Sequence, residues 1–132
     1  MKHVFWILAV MLSLTSCMEG RKKDKAMEEE VIVKITPSDL KQLDLETIQL
    51  IDVRTPEENE EGTIQGAENM NCLDDDFMEK VAQLDKSKPV YLFCKRGGRS
   101  AKSAQRLAEA GFTKVYDLQG GITAWRAEVE EE

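Results

Sequence analysis

The run Val90-Tyr91-Leu92-Phe93 is apolar throughout and reads as a strand buried on both faces. Ile48 to Val53, an apolar run bounded by polar residues, reads the same way, and Val31–Ile35, Ala67–Met70 and Lys114–Leu118 are further strand candidates. Helical stretches lie between them. Thr36 can cap a helix that begins at Pro37, and Asp75–Leu84 carries Phe77, Val81 and Leu84 at helical spacing. Ser100–Ala110 has a stripe of Ala101, Ala104, Leu107 and Ala108 with Gly111 as its stop, and Ile122–Glu128 forms a last helix. Strands that alternate with helices through short loops imply an α/β fold, a central parallel sheet of about five strands with helices on both faces. Ligands of such sheets bind beyond the carboxyl ends of the strands, which directs attention to the residues after Val53 and after Phe93.

The second of these segments carries the chemistry. Cys94-Lys95-Arg96-Gly97-Gly98-Arg99-Ser100 joins the Val90–Phe93 strand to a helix. The glycine pair permits turns that expose backbone N–H groups, and the helix turns its positive N-terminal end to the loop. Lys95, Arg96 and Arg99 add cations. All three influences favour thiolate over thiol, so the pKa of Cys94 is expected to be depressed. A thiolate ringed by donors and cations suits attack on an electrophilic sulfur whose other half is anionic.

Taken with three further segments, this loop resembles the rhodanese family. A catalytic cysteine, four residues and an arginine match its active-site loop. Ile51-Asp52-Val53-Arg54-Thr55-Pro56-Glu57-Glu58 resembles its strand-and-turn signature, and Gly62-Thr63-Ile64-Gln65-Gly66-Ala67 its glycine-containing turn. Gly120-Gly121-Ile122-Thr123-Ala124-Trp125 resembles its closing Gly-Gly-x-x-x-Trp segment. The resemblance runs from about Val31 to Arg126 and so covers the whole expected domain, which is placed at residues 31–128. It implies sulfur transfer: Cys94 takes the outer sulfur of a small anionic donor such as thiosulfate, and the persulfide passes to a thiol or cyanide. It implies no metal and no organic cofactor. It also implies that backbone amides from Lys95 to Ser100, with Gly97 and Gly98 between them, cradle the persulfide. Arg99 would fix the loop, Lys95 and Arg96 would attract the donor, and Asp52 and Arg54 would brace the site as an ion pair. Histidine is frequent in the family where Thr63 stands, and an aromatic residue where Asn59 stands, so local packing there is expected to differ. Trp125 reads as core.

Other readings stay open. Phosphatases and arsenate reductases of related folds use a cysteine–arginine loop with five intervening residues; the four here favour a single sulfur atom over a phosphoryl group. A non-catalytic docking module is a further alternative, disfavoured by the retained cysteine and its cations. The 132 residues hold three cysteines and one histidine, His3, so neither a disulfide framework nor imidazole chemistry is available to the domain. Cys72 could resolve or block Cys94 if the two approach each other. The formal net charge of -7 disfavours nucleic acid as a partner, and the family leans towards monomers.

The chain opens with Lys2 and His3, an apolar run from Val4 to Leu14, and Leu14-Thr15-Ser16-Cys17. The run is too short to span a bilayer, which takes about 20 residues, but suits a signal peptide. Its end resembles the bacterial lipobox. Residues 1–16 are therefore expected to be a lipoprotein signal peptide, with Cys17 lipidated. Residues 17–30 would be a charged tether reaching on the order of 20 Å. The domain would then be lipid-anchored in the cell envelope, facing the periplasm or the exterior.

Overall fold

The computed structural model describes residues 31–130. Five parallel strands form one sheet in the order β1-β5-β4-β2-β3. They are β1 (Ile32–Ile35), β2 (Gln49–Asp52), β3 (Glu68–Asn69), β4 (Val90–Phe93) and β5 (Val115–Leu118). The helices are α1 (Pro37–Lys41), α2 (Pro56–Glu60), α3 (Phe77–Val81), α4 (Gly98–Glu109) and α5 (Gly121–Trp125). A π-helical turn, Arg126–Glu130, follows α5. The expected signal peptide, Cys17 and the expected tether lie outside the described residues.

Alternation along the strands divides the core in two. Ile51, Val53, Val90, Leu92 and Val115 pack with Phe77 and Val81 of α3 and Ala104 and Leu107 of α4. Leu50, Phe93 and Leu118 pack on the opposite face with Leu40 of α1 and Ile122 and Trp125 of α5. Successive side chains of a strand point to opposite faces, so strands apolar throughout need helices on both. β4 is the middle strand, paired with β2 and β5, and its carboxyl end opens between theirs.

Local chemistry sets the element ends. Thr36 caps α1, its side chain accepting from the Asp39 amide at 3.2 Å, with Pro37 at the first position. Several expected bounds shift. α4 begins at Gly98, not Ser100, because Gly97 turns the chain with φ of +116° and frees the next residue for helical geometry. The expected helix over Asp75–Leu84 is confined to Phe77–Val81, where Phe77 and Val81 are buried and no side chain caps the start. The last α-helix stops at Trp125 and widens into the π-helical turn.

Candidate active site

Cys94 directly follows β4 and is buried. The turn at Gly97 folds the loop back, so the Gly97 N–H donates to the Cys94 sulfur at 3.0 Å. A side chain at this φ would be strained, which gives Gly97 its role in the turn. Gly98 needs no such freedom; it is the first helical residue, so only one of the paired glycines bends the chain. Burial raises the Cys94 pKa, but the Ser100 hydroxyl and the amides of Ser100, Gly97 and Arg96 outweigh it, leaving the thiol below its usual range. Stabilisation of the thiolate thus comes from oriented N–H and O–H groups, and the cationic side chains of Lys95 and Arg96 stand exposed at the rim.

The floor of the loop is held by the start of α5. The amides of Ile122 and Thr123 donate to the carbonyls of Cys94 and Lys95 at 2.9 and 3.1 Å. Gly121 makes this approach possible: with φ of +61°, a Cβ there would stand 2.5 Å from both carbonyl oxygens. Gly121 therefore lets the start of α5 close on the backbone of the nucleophile and of the residue after it.

Arg99 turns away from the sulfur towards α2. Its Nη1 and Nη2 donate to the Glu58 carboxylate at 2.7 and 2.8 Å. Glu58 also closes the α2 capping box, accepting from the Thr55 amide at 3.0 Å. The Arg99 hydrogen bonds, with the Thr55 bonds adding to them against partial burial, hold the Glu58 pKa at about 2. Arg99 thus ties the first turn of α4 to the start of α2.

Asp52, at the carboxyl end of β2, is a saturated hub. Its carboxylate accepts from Arg54 Nε and Nη2 at 2.9 and 2.7 Å, from the Arg54 amide at 3.0 Å, and from Asn59 and Thr63 at 3.0 Å each. Burial pushes its pKa up, but the bonds from Arg54 and Asn59 outweigh that and hold it low. Arg54 also donates to the Gly62 carbonyl at 2.8 Å. Asn59 and Thr63, where the family often has other residues, both serve this hub.

Reading the sequence alone missed two acids. Glu58 was visible as the last residue of a Thr-x-x-Glu capping box, a signal that marks a helix start but not its Arg99 partner. Asp117 on β5 gave no signal at all. It accepts the Ser100 hydroxyl at 2.6 Å and pairs with Lys34 on β1. Cys72 and Cys94 are both free thiols, Cys72 half-buried. Val53 stands between them, its N–H on the Phe93 carbonyl and its carbonyl on the Cys72 amide. Two strand spacings are roughly 10 Å, beyond the ~7 Å Cα–Cα reach of a disulfide, so a bridge would need backbone movement. Among the described residues no cluster of three potential metal ligands occurs, and no helix is long and apolar enough to cross a membrane.

Fold and site together define a parallel α/β protein with a buried cysteine in an amide-lined loop at the end of its middle strand. Residues 36–128 match the model of the rhodanese-like domain family, and the chain belongs to that family. It is 35% identical over 79 residues to thiosulfate sulfurtransferase GlpE of Shewanella oneidensis, covering 60% of this chain and 76% of that one. It is 39% identical over 82 residues to protein YqhL of Bacillus subtilis, where the match takes in 62% of this chain and 64% of the relative, just under two thirds of its length. Among solved structures it is similar to the polysulfide-sulfur transferase homodimer of Wolinella succinogenes, with TM-score 0.60, 31% identity and 82% of each chain covered. A rhodanese-like domain protein of Staphylococcus aureus aligns with TM-score 0.62 at 32% identity, covering 70% of this chain and 89% of its own. Rhodanese-type sulfurtransferase chemistry is thereby supported at the level of the family.

Proposed function

We propose that the protein moves sulfane sulfur from a small anionic donor such as thiosulfate, through a persulfide on Cys94, to a thiol or cyanide. The observation that carries this reading is the loop itself, in which the Gly97 amide points at the Cys94 sulfur at 3.0 Å, with the amides of Arg96 and Ser100 also stabilising its thiolate. The Cys94 thiolate attacks the outer sulfur of thiosulfate. The bond from that sulfur to the sulfonate sulfur breaks, and its electron pair leaves with sulfite. The terminal sulfur of the persulfide then carries the charge, and amides gathered around the loop suit it. A thiolate or cyanide attacks that terminal sulfur, and the electron pair of the broken S–S bond returns to Cys94. The cycle balances without metal, redox cofactor or external proton donor.

In this reading Lys95 and Arg96 draw the dianionic donor to the loop, Arg99 keeps the α4 end of the loop fixed through Glu58, and Asp52 with Arg54 braces β2. The domain spans residues 31–128 and acts as a monomer. On the sequence alone, residues 1–16 serve as a lipoprotein signal peptide, and lipidated Cys17 with the tether to residue 30 holds the domain in the cell envelope, facing the periplasm or exterior. Sulfur transfer from thiosulfate to cyanide, compared between the purified protein and Cys94→Ser, tests the catalytic reading. Thiocyanate formation that the variant lacks supports it, and equal turnover by both proteins would overturn it. Incorporation of labelled fatty acid that Cys17→Ser abolishes tests the anchor; equal labelling would refute it.

A further inference from the structure

Asp117 has no part in the sulfur-transfer cycle described above, yet it is fully buried one side chain away from the nucleophile. The Cys94 thiol lies 3.5 Å from the Ser100 hydroxyl, and the Ser100 hydroxyl lies 2.6 Å from Asp117 Oδ1. The other carboxylate oxygen pairs with Lys34, whose side chain is 51% exposed. The result is a chain of side chains from the nucleophile to the surface, crossing β4, β5 and β1. A serine hydroxyl has a single hydrogen. With the thiol protonated, that hydrogen goes to the carboxylate, the stronger acceptor, and Ser100 Oγ receives the S–H. Once the thiolate forms, sulfur and carboxylate compete for the same hydrogen.

We propose that Asp117 is a positioning residue for Cys94, acting through Ser100: its carboxylate competes for the Ser100 hydrogen and so weakens the bond that the hydroxyl gives the thiolate, while Lys34 neutralises the buried charge. The inference rests on the sulfur-transfer reading for its consequence, since in the persulfide the charge moves to the terminal sulfur and Ser100 is released back to Asp117. Asp117 thereby favours the loaded enzyme over the bare thiolate.

Other charged groups surround the site. Lys95, Arg96 and Arg99 belong to the loop and α4, Asp52 and Arg54 to β2, and Glu58 to α2. Arg99 and Arg54 are engaged by Glu58 and Asp52, and the side chains of Lys95 and Arg96 are exposed. Among the described residues Asp117 is the acid linked to the sulfur by a side-chain hydrogen-bond chain.

The test is the pH dependence of Cys94 alkylation by iodoacetamide in a Cys72→Ser background, a readout independent of sulfur transfer. Asp117→Asn removes the competitor and its charge, so the alkylation midpoint should fall by about one unit. The thiolate fraction below the midpoint then rises tenfold, and lower basicity trims the net gain in rate to roughly threefold. Lys34 is half-exposed and can turn to water, so the variant keeps a folded core. Ser100→Ala should raise the midpoint, and in that background Asp117→Asn should shift it no further. An unchanged or higher midpoint in Asp117→Asn overturns the proposal. A shift of equal size with Ser100 absent does so too, because it would show a through-space charge effect. If Asp117→Asn does not fold, Ser100→Ala alone decides: a midpoint left in place or lowered refutes the competition. A protein that alkylates as described but transfers no sulfur would sink the sulfurtransferase reading and leave the role of Asp117 in thiol ionisation intact.

Discussion

Two buried carboxylates flank the middle strand of the sheet, Asp52 on β2 and Asp117 on β5, and neither exposes any surface. Their surroundings differ in kind. Asp52 receives the Arg54 amide and guanidinium, the Asn59 amide and the Thr63 hydroxyl, all from the 11 positions that follow it in the chain. Asp117 receives one hydroxyl and one lysine, each from a different element. A saturated carboxylate has no lone pair left for chemistry and acts as scaffold. A sparsely bonded one stays sensitive to whatever its few partners are doing, and one of the partners of Asp117 touches the nucleophile. Equal burial therefore does not imply an equal role.

The comparison breaks most visibly at Asp52. Asp52→Ala strands the Arg54 guanidinium in the interior with the Gly62 carbonyl as its acceptor. Loss of about 3–5 kcal/mol is expected, read as a lower denaturant midpoint. In the fraction still folded, the Cys94 alkylation midpoint should stay within about 0.3 pH unit, well under the spread of ordinary cysteine values. A large shift in that midpoint would make Asp52 part of the nucleophile's electrostatics and erase the distinction.

A smaller effect is expected at Glu58, which joins α2 to α4 without touching either buried acid. Glu58→Gln should cost about 1–2 kcal/mol at neutral pH through the lost charged bonds to Arg99. The sign of its pH dependence follows from a folded pKa of about 2 against 4.5 for a free glutamate. A depressed acid stabilises the fold fully above its unfolded value, and that contribution fades as pH falls from 4.5 towards 2. The melting temperatures of wild type and variant should therefore converge across that window. Asp52 titrates in both proteins and drops out of the difference. A gap that stays constant down to pH 2 would mean the pair contributes through packing alone.

The smallest effect belongs to Cys72. Cys72→Ser should leave thiosulfate-to-cyanide turnover within about twofold, a difference under 1 kcal/mol. Oxidised wild type should still show both thiols of the domain, because Val53 separates them. Loss of both thiols on oxidation would mean that the strand ends move enough to bridge.

How legible each part was in the sequence follows from how local its cause is. β4 is announced by four consecutive apolar residues, and the nucleophile by the cysteine, glycines and cations that follow them. The start of α1 is written in Thr36 and Pro37. The start of α4 was placed two residues late because the turn depends on the φ of Gly97, and a pair of glycines does not say which of them bends. The α5 amides under Cys94 and Lys95 were foreshadowed only as a glycine pair, since their role needs the loop brought to them. Asp117 could not be found from local pattern: Lys34 is 83 positions away, Ser100 is 17, and only the neighbouring of β1, β5 and β4 in the sheet joins them.

The central claim is that Cys94 carries sulfur, and intact mass after incubation with thiosulfate tests it most directly. One sulfur atom should be added, localised to the Cys94 peptide, with one sulfite released for each and full discharge on adding cyanide. A protein that gains no sulfur while Cys94 alkylates freely, or that gains it on Cys72, would contradict the account.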